Sequence, residues 1–352
     1  METVANEVHD TAIDDIVLVT QLPSQSWFEG FAMRPNGHIL AARLDEPELY
    51  TWDPKNPDSE PTMLIEFPDA SSAVNIVALP DNPDTYIAIA AIFSMACATE
   101  CEDFVLWKVD FDPSKSADSP PTLTKILALD DVAMAIGVTP ISGDTLLIAD
   151  SFQASIFVVD LPTRSIHKLI GHDALMPASI DERFGINRMR LVDNHIWFTN
   201  NSKGIIGRIA IEQEPADGKY GGRSIRLSGP ADADSSTRVQ IVTSDVMHCD
   251  GLVVLPDGSA AYTASYNEGL LWRVDVNKET HEGTVTPIMS NLVYPTALEL
   301  VTSGNKTRMY IICCGEIEPG WVTSHDRMSW SDLRGLDNCI TEVTTTTEVV
   351  SQ

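Results

Sequence analysis

A β-rich unit recurs along the whole sequence. Each copy has an apolar strand, a turn, a second strand that ends in small or polar residues, and a third strand that ends in aspartate. The clearest copies cover 28–53, 135–160 and 249–275, and weaker copies begin at Asn75, Asn187 and Thr296. Repeats of this kind, with almost no helical periodicity between them, are typical of propellers. The repeat therefore predicts an all-β fold, a six-bladed β-propeller.

The six units fill the chain, so we expect one propeller domain over residues 1–352. Its blades are predicted at 28–67, 73–129, 134–170, 185–243, 248–289 and 294–346. The last unit lacks an outer strand, and the apolar run 16–22 has no partner of its own. Pairing the two would remove an exposed sheet edge. We therefore predict that 16–22 closes the ring in the last blade.

Longer spacings in the second and fourth units come from insertions rich in Gly, Pro, Ser and Asp. These insertions, predicted to be surface loops, are 94–103, 113–121 and 212–237. A further interruption, 315–337, carries Trp321 and is either a lid over one face or an ordinary loop held down by its tryptophans. Cys97 and Cys101 are close enough in sequence for a loop disulfide, or they are separate thiols.

Charge and hydropathy exclude several partners. The chain has 51 acidic and 23 basic residues, a net charge of −28, which repels nucleic acid and anionic membranes. No apolar stretch is long enough to span a bilayer. The acidic, polar start of the sequence lacks the pattern of a secretory signal, so we expect a cytoplasmic protein, with a secretory origin open if the sequence is truncated.

The first strand of each propeller blade lines the central channel, so the residues that begin these strands converge on one face. In this sequence they are Glu29, Asn75, Ile136, Asn187, Asp250 and Thr296. The hard oxygen atoms of Glu29, Asn187 and Asp250 suit Ca²⁺ or Mg²⁺. The alternative is that these side chains satisfy backbone groups where the strands meet.

Apolar, aromatic and a few polar residues flank this ring. They are Trp27, Phe28, Met134, His248 and Tyr294, with Arg43, Asp150, Asn200 and Tyr266 at the ends of second strands. The mixture is typical of a small-molecule pocket, although packing between blades uses the same residue types. His248 is a candidate acid–base residue or a structural hydrogen-bonding residue. No nucleophile elbow, phosphate-binding glycine loop or dinucleotide fingerprint accompanies it.

One resemblance is broad. The segments 28–30, 185–187, 249–252 and 147–151 resemble the gluconolactonase and senescence-marker-protein propellers. In that family a Glu, an Asn and an Asp hold a divalent metal, and they match Glu29, Asn187 and Asp250. A further family Asn, which contacts substrate, falls at Ile136, which offers no polar contact to a sugar lactone. The resemblance implies a calcium- or magnesium-dependent lactone hydrolase.

A second resemblance covers about 16–346. The segments 27–37, 47–54, 106–110 and 184–187 resemble a fungal propeller family of secondary-metabolite gene clusters. That family includes the hetero-Diels-Alderases of tropolonic sesquiterpenoid biosynthesis. Gly30 stands where the family usually has Asn, and Arg188 where it usually has Gly.

This second resemblance implies a cofactor-independent pericyclase that joins a tropolone-derived o-quinone methide to a sesquiterpene alkene such as humulene. Its partners would be these two small molecules, and Arg43 or His248 would hydrogen-bond the tropolone oxygens. The expected substrate-binding residues are Trp27, Phe28, Glu29, Met134, Ile136, Asn187, Asp250, Tyr266, Tyr294, Thr296 and Trp321. The lactone hydrolase and a propeller that binds a ligand without turnover are the alternatives.

Overall fold

The computed structural model describes residues 13–21, 26–56, 59–93, 101–179, 181–182, 184–214, 224–229, 238–303, 306–314 and 339–345. Regular structure in this part of the chain is almost entirely β-strand, apart from a short 3₁₀-helix at Asp173–Leu175. Among these residues, no helix has the length and apolar composition needed to cross a bilayer.

The described strands form six antiparallel sheets. The first three contain β2 (Phe28–Met33), β3 (Ile39–Arg43), β4 (Glu48–Trp52) and β5 (Thr62–Glu66); β6 (Ser72–Ala78), β7 (Thr85–Phe93), β8 (Cys101–Asp110) and β9 (Thr122–Ala128); and β10 (Ala135–Pro140), β11 (Thr145–Asp150), β12 (Ser155–Asp160) and β13 (Ser165–Gly171). The next two contain β14 (Ile186–Val192), β15 (His195–Asn200), β16 (Ile205–Glu214), β17 (Ser224–Leu227) and β18 (Val239–Thr243); and β19 (Cys249–Val254), β20 (Ala260–Ser265), β21 (Leu270–Val276) and β22 (Gly283–Met289).

The sixth sheet joins both ends of the described chain. It contains β23 (Pro295–Ser303), β24 (Lys306–Cys313), β25 (Cys339–Thr345) and β1 (Ile13–Gln21). β1 runs antiparallel to β25, with Ile13 opposite Thr345 and Gln21 opposite Cys339. The apolar run near the start of the chain is therefore the outer neighbour of the last strand.

The innermost strands of the sheets are β2, β6, β10, β14, β19 and β23. Each contacts the innermost strands of two neighbouring sheets, and β23 contacts β2. This arrangement is an all-β propeller. The innermost and second strands are almost wholly buried, whereas the outer strands β5, β9, β13 and β22 expose alternate residues to solvent, as strands with one solvated face do.

Hydrophobic clusters fill the contacts between neighbouring sheets. Phe28, Trp52 and Tyr310 pack between the sixth and first sheets, and Leu40 with Trp107 between the first and second. Similar clusters join the other neighbours around the ring. The core is thus a set of interfaces between sheets, which holds the innermost strands close around a central channel.

The insertion 212–237, predicted to be a surface loop, is partly β-structure. β16 extends to Glu214, and β17 pairs with that extension, with Ile211 opposite Leu227. Ile211 and Ile225 are buried, so burial of their side chains accounts for a strand within a Gly- and Pro-rich segment. Likewise 101–103 belong to β8, while 113–121 are turns and exposed irregular chain, as predicted. Cys97 lies outside the described residues.

Gly137 tests the close approach of neighbouring innermost strands. A Cβ at this position would lie 2.2 Å from the carbonyl oxygen of Asn187, which belongs to the backbone of the next sheet. Gly137→Ala should therefore lower the free energy of unfolding by about 1–3 kcal/mol, as overpacking does, measured by urea denaturation.

Gly171→Ala is the matched control. The atom nearest to its added Cβ would be Lys168 Nζ at 3.4 Å, the end of a flexible side chain, so the unfolding free energy should change by at most about 0.5 kcal/mol. Equal effects of the two substitutions would contradict the close packing at Gly137.

Candidate functional site

Every innermost strand has a pairing irregularity near its beginning. The residues within these irregularities are Glu29, Val74, Ile136, Asn187 with Arg188, Asp250 with Gly251, and Thr296. A β-bulge re-aims a side chain at the place where ladder pairing is broken. Because the bulges occur near the start of every innermost strand, their side chains lie at the same depth in the channel, near the face at which these strands begin. We call this the upper face.

The ring residue of the second sheet differs from the prediction. The bulge there falls at Val74, between Ala73 and Asn75, and Asn75 returns to regular pairing with Ile89. The Asn75 amide donates to the Ile136 carbonyl oxygen at 2.8 Å, and its side-chain oxygen accepts from the Ile76 N–H at 2.8 Å. Because the bulge is at Val74, Asn75 lies one residue beyond the ring, and its side chain hydrogen-bonds backbone groups instead.

A buried arginine occupies the centre of the ring. Arg188 donates from Nη2 to Glu29 Oε1 at 2.7 Å and to the Glu29 carbonyl oxygen, and from Nη1 to the Ile136 carbonyl oxygen at 3.3 Å. Its Nε lies 3.7 Å from Asp250 Oδ1. Arg188, Glu29 and Asp250 are each about 95% or more buried. One guanidinium thus links sheets one, three and four and lies between two carboxyl groups.

The set Glu29, Asn187 and Asp250 does not fit a divalent metal as the chain stands. The remaining Glu29 oxygen, Oε2, accepts from Trp27 Nε1 at 2.9 Å, while Oε1 and Asp250 face the guanidinium. A metal ion within reach of both carboxyl groups would lie against the positive charge of Arg188, which repels it. Arg188 stands out in the sequence as a departure from the family pattern, but its pairing with Glu29 is not predicted there. The signal was an arginine next to Asn187, at the level of two buried acids.

Burial changes the acidity of both carboxyl groups. It raises the pKa of Asp250 well above the ordinary value, and the negative charge of Glu29 raises it further. Arg188 and a hydrogen bond with Asn187 oppose this shift. Burial also raises the pKa of Glu29, against Arg188 and the Trp27 hydrogen bond. The pair therefore keeps a proton to higher pH than ordinary carboxylic acids do.

Five of the predicted pocket residues belong to one apolar group at the upper face. We define this upper cluster as Trp27, Val74, Met134, Ile136, Tyr266 and Tyr294. Trp27 stacks on Tyr266 with ring centroids 5.8 Å apart and planes at 15°, and Tyr266 lies 5.1 Å from Tyr294. Burial raises the pKa of Tyr266 well above its usual value, so its phenol remains a hydrogen-bond donor. Trp321 lies outside the described residues.

Phe28 and Thr296 have other contacts. Phe28 packs on Tyr50 and Trp52 within the first sheet, with centroids 5.6 and 6.2 Å away, and belongs to the interface with the sixth sheet. Thr296 donates to the Phe28 carbonyl oxygen at 2.9 Å. The structure thus places Phe28 in the packing between sheets and Thr296 in a bond that joins them, rather than in the upper cluster.

Arg43 is held by two carboxylates. Its guanidinium pairs with Asp45 and Glu48, each at 2.7 Å, and these charges raise its pKa against the effect of burial. Asp45 Oδ1 also accepts from the Trp27 backbone N–H at 2.7 Å. Arg43 therefore acts on the upper cluster through Asp45, which fixes the start of the first innermost strand.

His248 lies beside the upper cluster. Its Nδ1 is 2.7 Å from Glu268 Oε1, and its carbonyl oxygen accepts from the Tyr266 N–H at 2.9 Å. His248 and Tyr294 have φ angles of 51° and 52°, in the left-handed region that costs most side chains energy. Each lies two residues before a ring residue, so two sheets have a left-handed backbone residue at the same place, just before the bulge.

A cavity that the sequence analysis did not predict lies farther along the channel, with a volume of about 480 Å³. Of the residues predicted for the ring, Asn75 lines it, together with Gly30, Arg188 and Gly251 at the level of the bulges. Its walls come from the later parts of the innermost strands, including Met33, Ala78, Pro140 and Thr302, and Arg188 borders it. Sequence patterns give no signal for it, since these residues are ordinary strand ends.

No family model and no curated protein sequence matches the chain. Solved structures do share its fold. A luciferin-regenerating enzyme has a TM-score of 0.61 at 9% identity, covering 93% of this chain and 94% of its own. A calcium-binding protein, regucalcin, from Agrobacterium tumefaciens has 0.55 at 14%, covering 92% and 95%. The PQQ-bound aldose sugar dehydrogenase from Streptomyces coelicolor has 0.55 at 13%, covering 94% and 98%.

These neighbours are gluconolactonase-like and related β-propeller proteins, so the broader of the two resemblances is supported at the level of fold. At such low identity the likeness shows the fold alone. The resemblance to the fungal family stays a prediction.

The raised pKa values of Asp250 and Glu29 predict a pH-dependent stability. Because folding raises their pKa values, the folded chain binds more protons than the unfolded chain above about pH 4. The contribution of these two carboxyl groups to the stability of the folded state is largest at low pH, and it is lost as pH rises through their folded-state pKa values. Replacing Asp250→Asn removes one such acid. The Tm of this variant relative to wild type should therefore rise between about pH 4 and pH 8.

Asp257→Asn serves as the control. Hydrogen bonds from Ser259 lower the pKa of this exposed carboxyl, so its substitution should shift the relative Tm in the opposite direction, and only slightly, because solvent screens it. A Tm difference for Asp250→Asn that does not vary with pH would contradict the burial of an acid in the ring.

Proposed function

We propose that the chain is a cofactor-independent pericyclase, which joins a tropolone-derived o-quinone methide to a sesquiterpene alkene such as humulene by a hetero-Diels-Alder cycloaddition. The observation that carries this proposal is the upper cluster, in which Trp27, Met134, Ile136, Tyr266 and Tyr294 bring apolar and aromatic surface from four sheets together beside a few donors. Such surfaces suit a hydrocarbon and a planar, oxygen-rich partner.

The reaction places modest demands on a protein. One C–C and one C–O σ bond and one new C=C bond form as the C=O and C=C π bonds of the quinone methide and the π bond of the alkene are consumed, so all atoms and electrons are retained and no proton leaves. Holding two reactants in a near-attack geometry can supply about 7–11 kcal/mol. In this proposal, Trp27, Met134 and Ile136 contact the terpene. The Tyr266 hydroxyl and His248 donate to the tropolone oxygens, where negative charge grows.

Arg43 has a positioning role in this proposal. Because Asp45 and Glu48 hold its guanidinium, it fixes Asp45 and thereby the Trp27 backbone, and it does not contact the substrate.

A metal-dependent lactone hydrolase is the second candidate. The convergence of Glu29, Asn187 and Asp250 favours it, since these residue types hold divalent ions. The Arg188 guanidinium among them argues against it, and so does Ile136, which cannot hydrogen-bond a sugar. Lactone turnover that chelators abolish, without any adduct formation, would favour the hydrolase. Ligand binding without either reaction would favour a binding protein.

Ile136 tests the apolar wall. Its side chain is buried in the upper cluster, and Ile136→Asn would place an amide against hydrocarbon, which costs about 1–3 kcal/mol if it stays unpaired. We expect adduct formation from humulene and a quinone-methide precursor, measured above the spontaneous rate, to fall about tenfold or more.

Ile136→Val, which stays apolar, is the matched control and should keep most of the activity. In the same assay His248→Gln should lower kcat with little change in KM for the terpene. An unchanged rate for Ile136→Asn would refute the pocket assignment. No acceleration and no stereochemical bias by wild type would refute the pericyclase.

The architecture proposed for this function is one domain of six blades, closed by β1. The six described sheets, the pairing of β1 with β25, and the contact between β23 and β2 support it. A chain that starts at Ser24 would leave β25 as an unpaired edge. We expect it to be insoluble or to lose several degrees of Tm in a thermal unfolding scan. Unchanged solubility and Tm would argue against closure by this strand.

A further inference from the structure

The centre of the ring holds three side chains of the type that bind hard cations, arranged around an arginine. Glu29 and Asp250 contact the Arg188 guanidinium, and Asn187 hydrogen-bonds Asp250. These residues come from three separate bulges. The positive charge between them is supplied by the Arg188 side chain.

Two oxygen atoms at this point lack hydrogen bonds. Asn187 Oδ1 and Asp250 Oδ1 have no hydrogen-bond partner among the described residues, and both residues are about 95% buried. Leaving buried polar atoms unsatisfied costs free energy. The distance of 3.7 Å between Asp250 Oδ1 and Arg188 Nε is too long for a hydrogen bond, so the guanidinium lies near this oxygen atom without satisfying it.

We propose that Arg188 is a built-in replacement for a divalent cation, and that removing its side chain uncovers a Ca²⁺ site formed by Glu29, Asn187 and Asp250. Two carboxylates and an amide oxygen are hard ligands of the kind that Ca²⁺ takes, with water completing its shell. The oxygen atoms that the guanidinium leaves without hydrogen bonds are the ones that a spherical cation would reach.

The guanidinium also explains why wild type should be indifferent to such ions. It already provides Glu29 with a hydrogen-bonded cation, and it binds the backbone carbonyl oxygens of Glu29 and Ile136, which belong to different sheets. A divalent ion would have to displace these bonds and approach a fixed positive charge. Cation binding at this point is independent of the reaction proposed for the upper cluster.

Binding of Tb³⁺, a hard-ion probe, and its displacement by Ca²⁺ test the inference in purified protein. The Trp27 indole donates to Glu29, so it lies next to the site and can sensitise terbium luminescence. We expect no stoichiometric site in wild type. Arg188→Gly should bind one Tb³⁺ that Ca²⁺ displaces, at least about 100-fold more tightly than wild type, within the range of protein calcium sites. Saturating Ca²⁺ should raise its Tm by about 5 °C.

Two further variants complete the design. Arg188→Gln keeps most of the side-chain volume without the charge and should bind the ion too, although less tightly. Arg188→Gly combined with Asp250→Asn should lose the site. A charge-free variant that neither binds the ion nor becomes ordered in its presence, as judged by circular dichroism, overturns the proposal. So does a stoichiometric Ca²⁺ site in wild type. Neither assay measures turnover, so failure here is distinct from failure of the pericyclase.

Discussion

The ion pair between Arg188 and Glu29, with Asp250 close by, connects the innermost strands at the centre of this propeller. Buried carboxyl groups stay charged only where a cation or strong hydrogen bonds compensate for lost hydration. Here the compensation comes from a side chain whose other donors bind backbone oxygens of the first and third sheets. The same group thus balances the charge of one carboxylate and links its own sheet to the third sheet beside it and to the first sheet across the channel. Changes of charge at the site are therefore coupled to the packing of the ring.

Around this ion pair, the channel is organised by its bulges. They turn Glu29, Asp250 and Thr296 to one level, and the residues two positions earlier are Trp27, His248 and Tyr294. Polar side chains therefore lie at the ring, and aromatic rings lie beside them at the upper face. Such a gradient suits a ligand with one hydrocarbon part and one oxygen-rich part.

Much of this could be read from the sequence, because a repeat makes equivalent positions visible. Glu29, Ile136 and Asp250 were aligned correctly, since their copies have strong strand patterns. Asn75 was misplaced by one residue, because strand pairing, which sequence does not display, decides whether Val74 or Asn75 is bulged. β17 was missed because its Gly- and Pro-rich surroundings dominate the local composition. The ties of Arg43 to Asp45 and of His248 to Glu268 depend on rotamers, which no pattern specifies.

Arg188 also lies between two regions of the channel. Towards the upper face it binds Glu29, which accepts a hydrogen bond from Trp27 of the upper cluster. Towards the other face it borders the cavity of about 480 Å³. Within the described part of the chain, a guanidinium held by hydrogen bonds to two other sheets therefore stands between the aromatic rings and the cavity. A molecule in that cavity would meet a cationic side chain and none of the rings of Trp27, Tyr266 and Tyr294. The two ends of the channel would thus select solutes by different chemistry, one by charge and the other by aromatic surface.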